Sequence, residues 1–131
     1  MTDRTVQSRW DGGLRAVVQA GGFELTVDEP ESMGGTDRGP QPTDLLLASV
    51  ASCFTLAMAY SAAKRDIELE GLDVDVTGRY DGPRFSRLLI EVRAQRPAGA
   101  ELARLVSAAE RVCYVTNTLR RPPEIEIVGA S

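Results

Sequence analysis

PTDLLLASVASCFTLAMAYSAAKR, running from Pro42 to Arg65, contains the longest uncharged run in the chain: nothing between Leu45 and Ala63 carries a charge. It reads as one helix. Pro42 suits a first helical turn, where its missing N–H would be unpaired anyway. Asp44 places negative charge near the positive end of the helix, and Lys64 and Arg65 place positive charge at the other end. Leu, Ala and Met favour helix, and neither Gly nor Pro interrupts them. Leu45, Leu46, Leu47, Val50, Phe54, Leu56 and Met58 spread over most of the circumference. A helix apolar all round is usually buried on all sides. The run is long enough to span a bilayer. However, ten of the nineteen residues from Leu45 to Ala63 are Ala, Ser or Thr, and strand-like segments on both sides need this helix as their core. The expectation is therefore a central helix wrapped by sheet and packed against a second copy of itself, with no membrane involved.

Outward from the helix the pattern changes to strands. Upstream, Thr5 to Trp10 is a short strand ended by Asp11-Gly12-Gly13; Leu14 to Ala20 continues it, and Gly21-Gly22 signals a hairpin. Phe23, Leu25 and Val27 alternate with Glu24 and Thr26, the period of a half-buried strand. Glu29 to Pro40 is an irregular loop rich in Gly and Pro. Downstream, Leu72, Val74 and Val76 alternate with Asp73, Asp75 and Thr77. Tyr80-Asp81-Gly82-Pro83 turns, and Leu88, Ile90 and Val92 return. Pro97 opens a second helix, with Leu102, Leu105, Val106, Ala109, Val112 and Cys113 at helical spacing. After Pro122-Pro123, Ile125 and Ile127 alternate with glutamates in a last strand. The fold class is α+β, with antiparallel sheet segments and two substantial helices in a single domain over residues 1–131.

Composition narrows the function. The chain has 131 residues, net charge −4 and scattered basic residues, so nothing favours nucleic acid. MTDRTVQSRW offers no apolar segment of a secretory signal, which makes the cytoplasm the expected location. There is no histidine, so the commonest general base and metal ligand is missing, and with it zinc hydrolases and His-dependent triads. No metal or other cofactor is expected.

The nucleophile candidates are Cys53 and Cys113. Each falls on the apolar face of an expected helix, and small buried hydrophobes would look the same. The chemical alternative pairs them: one thiolate attacks an oxidant, and the other resolves the sulfenic acid as a disulfide. That requires a cation to lower a thiol pKa. Without histidine this falls to arginine, either Arg38 in the loop before the helix or Arg15 on the N-terminal hairpin. Either could equally be a solvated surface charge. The segment Gly34 to Gly39, GGTDRG, lacks the GK[ST] ending of a phosphate loop; its glycines let the chain bend tightly onto the helix start.

GGTDRGPQPTDLLLASVASCF, followed by ERVCYVTNTL, resembles the OsmC/Ohr family of osmotically inducible and organic hydroperoxide resistance proteins. The likeness covers nearly the whole chain. It includes the glycine-rich loop, the mid-helix Cys53, the exit Ala63 to Ile67, and the Cys-x-Val-x-Asn motif from Cys113 to Asn117. The resemblance implies an OsmC-like fold, antiparallel sheets wrapped around central helices in an intertwined homodimer, with sites at the dimer interface. It also implies thiol peroxidase chemistry on small apolar hydroperoxides: Cys53 attacks, Cys113 resolves, and a small dithiol or dithiol protein, lipoyl-type for instance, reduces the product. The sequence departs from the family pattern at Thr43, which stands where family peroxidases carry the Glu that anchors a catalytic Arg. Asp44, the next residue, is the nearest carboxylate. The alternative reading is a non-catalytic OsmC-like protein that binds a small hydrophobic ligand or senses redox state.

Overall fold

The computed structural model describes residues 2–130. Its element order is β1 (Gln7–Trp10), β2 (Ala16–Ala20), β3 (Phe23–Val27), α1 (Pro42–Lys64), β4 (Asp73–Asp81), β5 (Arg84–Arg93), α2 (Gly99–Val112) and α3 (Tyr114–Arg120). The architecture is α+β, with antiparallel sheets and three α-helices. The chain divides into two compact units, one ending at Leu46 and one beginning at Leu47.

The N-terminal unit is a meander in the order β1-β2-β3. Ser8 pairs with Val18 and Val18 with Leu25, so the alternation read in the sequence sets the register. Gly21 and Gly22 take φ of 55° and 83°, the left-handed pair that a tight hairpin turn requires. Strand β2 begins at Ala16 and not at Leu14. Arg15 N–H donates to Gly12 O, which keeps Leu14 and Arg15 inside the turn.

The loop after β3 is tied around one buried carboxylate. Asp28 accepts from the backbone N–H groups of Glu29 (2.8 Å), Thr36 (3.3 Å) and Arg38 (3.2 Å), and from the Thr36 hydroxyl. Gly35 and Gly39 fit because they lack Cβ atoms: a Cβ would lie 1.9 Å from Glu29 O at Gly35 and 2.0 Å from Thr26 O at Gly39. The glycines thus serve the tight bend expected of them.

In the C-terminal unit, α1 ends at Lys64 and is closed by Asp66, whose φ of 52° is left-handed. Ile67 N–H reaches back to Ala62 O at 2.9 Å and Asp66 N–H to Ala63 O at 3.3 Å, closing the orphan carbonyls in a Schellman motif. Ile67 then packs on the core. Strands β4 and β5 pair Val74 with Val92 and Val76 with Ile90. Their apolar face packs against Phe54, Ala57, Met58 and Ala62 of α1 and Leu105 and Ala109 of α2. Each large side chain covered this way stabilises the fold by roughly 1.5–3 kcal/mol.

Three expectations need correction. Pro97 does not open the second helix, since α2 starts at Gly99 and Pro97 is buried just ahead of it. Cys113 is not on α2; it is an extended residue (φ −79°, ψ 107°) between α2 and α3. Ile125 and Ile127 form no strand among the described residues; they are 79% and 91% exposed with no ladder partner. Within one chain α1 leaves part of its surface uncovered. Val50, Phe54, Met58 and Ala62 are buried, but Leu56 and Tyr60 are 68% and 57% exposed. The helix has the length and apolarity to cross a membrane, yet its buried face is the core of this fold.

Candidate active site: two thiols at an open cavity

Cys53 lies in the middle of α1, next to the buried Phe54, and packs on the edge of the core. Cys113 closes α2 and precedes α3, so its side chain turns inward where the helical path breaks. The break brings the two thiols close enough for each to influence the other's titration. Both are free cysteines.

Their environments differ. Burial pushes the Cys53 thiol up, and its thiol neighbour adds to this. The N–H groups of Val115 and Tyr114, in the first turn of α3, pull the other way without cancelling it. Burial also opposes the Cys113 thiolate. There it is outweighed by the Thr116 hydroxyl, the N–H groups of Thr116 and Val115 and the Cys53 thiol, so Cys113 moves down. These N–H groups act on the sulfur through their orientation, and none closes a regular capping hydrogen bond. The Thr116 hydroxyl sits 3.3 Å from Cys113 O and has one proton, which can turn to the sulfur once that sulfur is charged.

Accessibility runs opposite to acidity. Cys113 is 0% exposed, whereas Cys53 lines a cavity of about 640 Å³. Leu56, Ala57 and Tyr60 stand at i+3, i+4 and i+7 from Cys53 and carry the same helix face along the cavity. Arg111 and Val112 come from the end of α2, and Tyr114 and Asn117 from α3. Asn117 ties this corner together: its Nδ2 donates to Arg111 O at 3.2 Å and its backbone N–H to Cys113 O at 3.0 Å. The cavity is therefore mostly apolar, with one thiol and one guanidinium at its wall. Among the described residues, no group of three His, Cys, Asp or Glu side chains could hold a metal ion.

The residues expected from sequence fall into two groups. Cys53 and Cys113 are brought together. Arg15, Arg38 and Asp44 belong to the N-terminal unit. Arg15 is held there by Asp11, Nε to Oδ2 at 3.0 Å, and by Thr36 Oγ1 at 3.3 Å. Arg38 contributes its backbone N–H to Asp28. Asp44, in the first turn of α1, accepts from Gln41 Nε2 at 3.4 Å. Sequence reasoning missed Arg111, the cation that lines the cavity, because its helical position is off the apolar face of α2. Its place two residues before Cys113 was the available signal.

The sequence profile of the family described as OsmC-like protein matches residues 35–128, which span the glycine-rich loop, both cysteines and α2 and α3. The chain belongs to the OsmC-like family. An organic hydroperoxide resistance protein of Xanthomonas axonopodis pv. citri is 32% identical over 111 residues, covering 81% of this chain and 78% of that protein. Among solved structures, an OsmC like protein from Mycoplasma pneumoniae superposes with a TM-score of 0.75 at 19% identity, covering 91% of this chain and 88% of its own. The organic hydroperoxide resistance protein OsmC from Legionella pneumophila gives 0.71 at 22% identity, covering 92% and 90%. These two likenesses show the fold: the antiparallel sheets and three helices are those of OsmC-like proteins.

Proposed function

We propose that this OsmC-like protein is a cysteine peroxidase for organic hydroperoxides, acting in oxidative-stress defence in the cytoplasm. The observation that carries the reading is the pairing of two free thiols, one lining an apolar cavity and the other fully enclosed behind it. Cys53 thiolate attacks the terminal oxygen of ROOH. The O–O bond breaks, RO⁻ takes a proton and leaves as the alcohol, and Cys53 becomes a sulfenic acid. Cys113 thiolate then attacks the Cys53 sulfur, forming the disulfide and releasing hydroxide, which becomes water. The downward shift at Cys113 suits this second step, which needs a thiolate. A dithiol, lipoyl-type for instance, restores both thiols by exchange. Arg111 adds positive charge at the cavity wall; Arg15 and Arg38 remain the cations that the family likeness favours.

The working form is a homodimer. Leu56, Tyr60 and Tyr114, the last 85% exposed, leave an apolar face around the cavity. The alternating tail at Ile125 and Ile127 has the pattern of a strand without a partner. A second copy supplies cover for the first and an edge for the second. Sedimentation at micromolar concentration should give twice the chain mass, and a stable folded monomer would remove this assembly. Neither nucleic acid nor a membrane has a role in this reading.

The test is turnover of cumene hydroperoxide with a dithiol reductant. Wild type should be active but slow, because the Cys53 thiol is shifted up. Cys53→Ser should abolish activity. Cys113→Ser should complete only the first step, leaving a Cys53 sulfenic acid that dimedone traps. Thr43→Glu should raise the rate if a carboxylate there anchors an arginine, and Arg15→Ala, Arg38→Ala and Arg111→Ala separate the cations. A second reading, a binding protein for small hydrophobic ligands, is favoured by the raised Cys53 thiol and the apolar cavity. It replaces the first if wild type and Thr43→Glu are both inert while a hydrophobic small molecule raises Tm.

A further inference from the structure

The break between α2 and α3 deprives α2 of its last donors. An α-helix pairs each carbonyl with the N–H four residues on. Continued past Val112, α2 would pair the carbonyls of Glu110, Arg111 and Val112 with the N–H groups of Tyr114, Val115 and Thr116. Cys113 prevents this, because its ψ of 107° carries the chain off the helical path. The three N–H groups turn to the sulfurs instead, Tyr114 and Val115 to Cys53, Val115 and Thr116 to Cys113. Of the carbonyls they leave, that of Arg111 has a replacement donor: Asn117 Nδ2 lies 3.2 Å from Arg111 O. A carbonyl can only accept, so the amide nitrogen and not its oxygen must face it. Asn117 is itself fixed in α3. Its N–H donates to Cys113 O at 3.0 Å, and its carbonyl accepts from Arg121 N–H at 3.1 Å. One residue therefore bonds both sides of the break, through its side chain to the last turn of α2 and through its backbone to Cys113.

We propose that Asn117 is a positioning residue for both thiols: its side-chain amide stands in for the Val115 N–H at the Arg111 carbonyl, so that this N–H stays turned towards the sulfurs. Without the amide, the Arg111 carbonyl recovers a donor from water or from Val115, four residues on. Val115 is the donor the helix itself provides. The break then winds back towards helix, and the sulfurs lose an N–H that favours their anions. The other groups that bear on the thiols are Arg111 of α2, Tyr60 of α1 and Tyr114 of α3, which line the cavity with Cys53. The hairpin side chains packed on this core, Val74, Ile90 and Val92, carry no charge. This deepens the peroxidase reading by adding a residue to its site, and it rests on that reading only for the reaction the thiols perform.

Thiol titration tests this apart from turnover. Iodoacetamide reports on Cys53, since Cys113 is fully enclosed. In the wild type, the NMR shift of the Val115 amide should titrate together with the pH profile of this alkylation. An amide that does not follow it overturns the proposal, whether or not any variant folds. In Asn117→Ala, and in Asn117→Leu, which keeps the shape without the donor, alkylation at pH 7 should be roughly three- to tenfold slower, the weight of one hydrogen bond to an anion. Its profile should move to higher pH, and the Val115 amide should no longer follow it. Tm and helix content should hardly change, because one hydrogen bond from a half-buried side chain contributes little to the fold. The shift should recur in an Arg111→Gln background, where no guanidinium is left to move. A profile that stays in place in both variants overturns the proposal, as does one that moves only where helix content falls or only where Arg111 is present. If wild type is inert towards cumene hydroperoxide while Asn117→Ala shifts the profile, the peroxidase reading fails and the positioning role stands. An active wild type with an unmoved profile removes the positioning role alone.

Discussion

The two units bury different chemistry. The C-terminal unit encloses Phe54, Ala57, Met58, Ala62, Leu105, Ala108, Ala109 and Cys113, a continuous apolar core between helices and a β-hairpin. The N-terminal unit buries Val17 and Val27, and then Asp28, while Trp10 and Phe23 are each 75% exposed. One region is held by the removal of apolar surface from water. The other is held by a carboxylate whose oxygens collect the N–H groups of Glu29, Thr36 and Arg38 on either side of a short 3-10 turn at Glu31–Met33. Asp28 and Cys113 are therefore counterparts: each is an enclosed acid whose anion is favoured by nearby N–H groups and a threonine hydroxyl. In Asp28 that arrangement shapes a loop. In Cys113 it prepares a thiolate beside a second thiol.

The largest effect that would sharpen the contrast is in the apolar unit. Phe54→Ala removes a ring that is 4% exposed and should cost about 3–5 kcal/mol in urea unfolding. A cost below about 1 kcal/mol, typical of surface changes, would mean that α1 is not the core helix described above.

A smaller and more local effect belongs to Asp28. Its carboxyl is held down to about 2, first by the Thr36 hydroxyl and then by the N–H groups of Arg38, Thr36 and Glu29, against a reference of 3.8. The folded pKa lies below the unfolded one, so the contribution is complete above about pH 4 and is lost as pH falls towards about 2. Amide exchange at Thr36 and Arg38, corrected for intrinsic rates, should therefore lose protection across that window. In Asp28→Asn protection should already be reduced at pH 6, with no further loss over the same window. An unchanged protection pattern in this variant would break the parallel with Cys113.

Much of the fold was legible from period and turn chemistry. The alternation of Val74 and Val76 with Asp73 and Asp75 gave the β4 face. Gly21-Gly22 gave the hairpin, and the uncharged run gave α1. What was not legible came from contacts that no local pattern encodes. Ile125 and Ile127 alternate as a strand does, but alternation provides no partner, and no ladder forms there among the described residues. Asp28 falls between the β3 alternation and the loop read from Glu29 to Pro40, and no local pattern marks it; its inward turn depends on Thr36 and Arg38 arriving eight and ten residues later. At the site, both cysteines stood out by elimination of other nucleophiles. Helical spacing carried Cys113 onto α2, where the chain in fact breaks, and it hid Arg111 on what looked like the solvent side. The break matters chemically, because it is what points the first N–H groups of α3 at the two sulfurs.

The smallest expected effect follows from that break and separates the two thiols most finely. Cys53 is shifted up, so its attack on hydroperoxide should accelerate with pH beyond the ordinary thiol range. Cys113 is shifted down, so disulfide formation from the Cys53 sulfenic acid should already be near its plateau at pH values where the first step is still rising. Single-turnover measurements that follow sulfenic acid and disulfide separately should show these two profiles displaced along the pH axis. Thr116→Val keeps the shape of the buried side chain but removes the hydroxyl, the largest influence holding the Cys113 thiol down. Burial then weighs more heavily, the Cys113 pKa rises, and the profile of the second step should move towards that of the first while the first step changes little. If the second-step profile stays in place in Thr116→Val, the backbone N–H groups alone hold the thiolate, and the parallel with the Thr36 hydroxyl at Asp28 does not extend to the site.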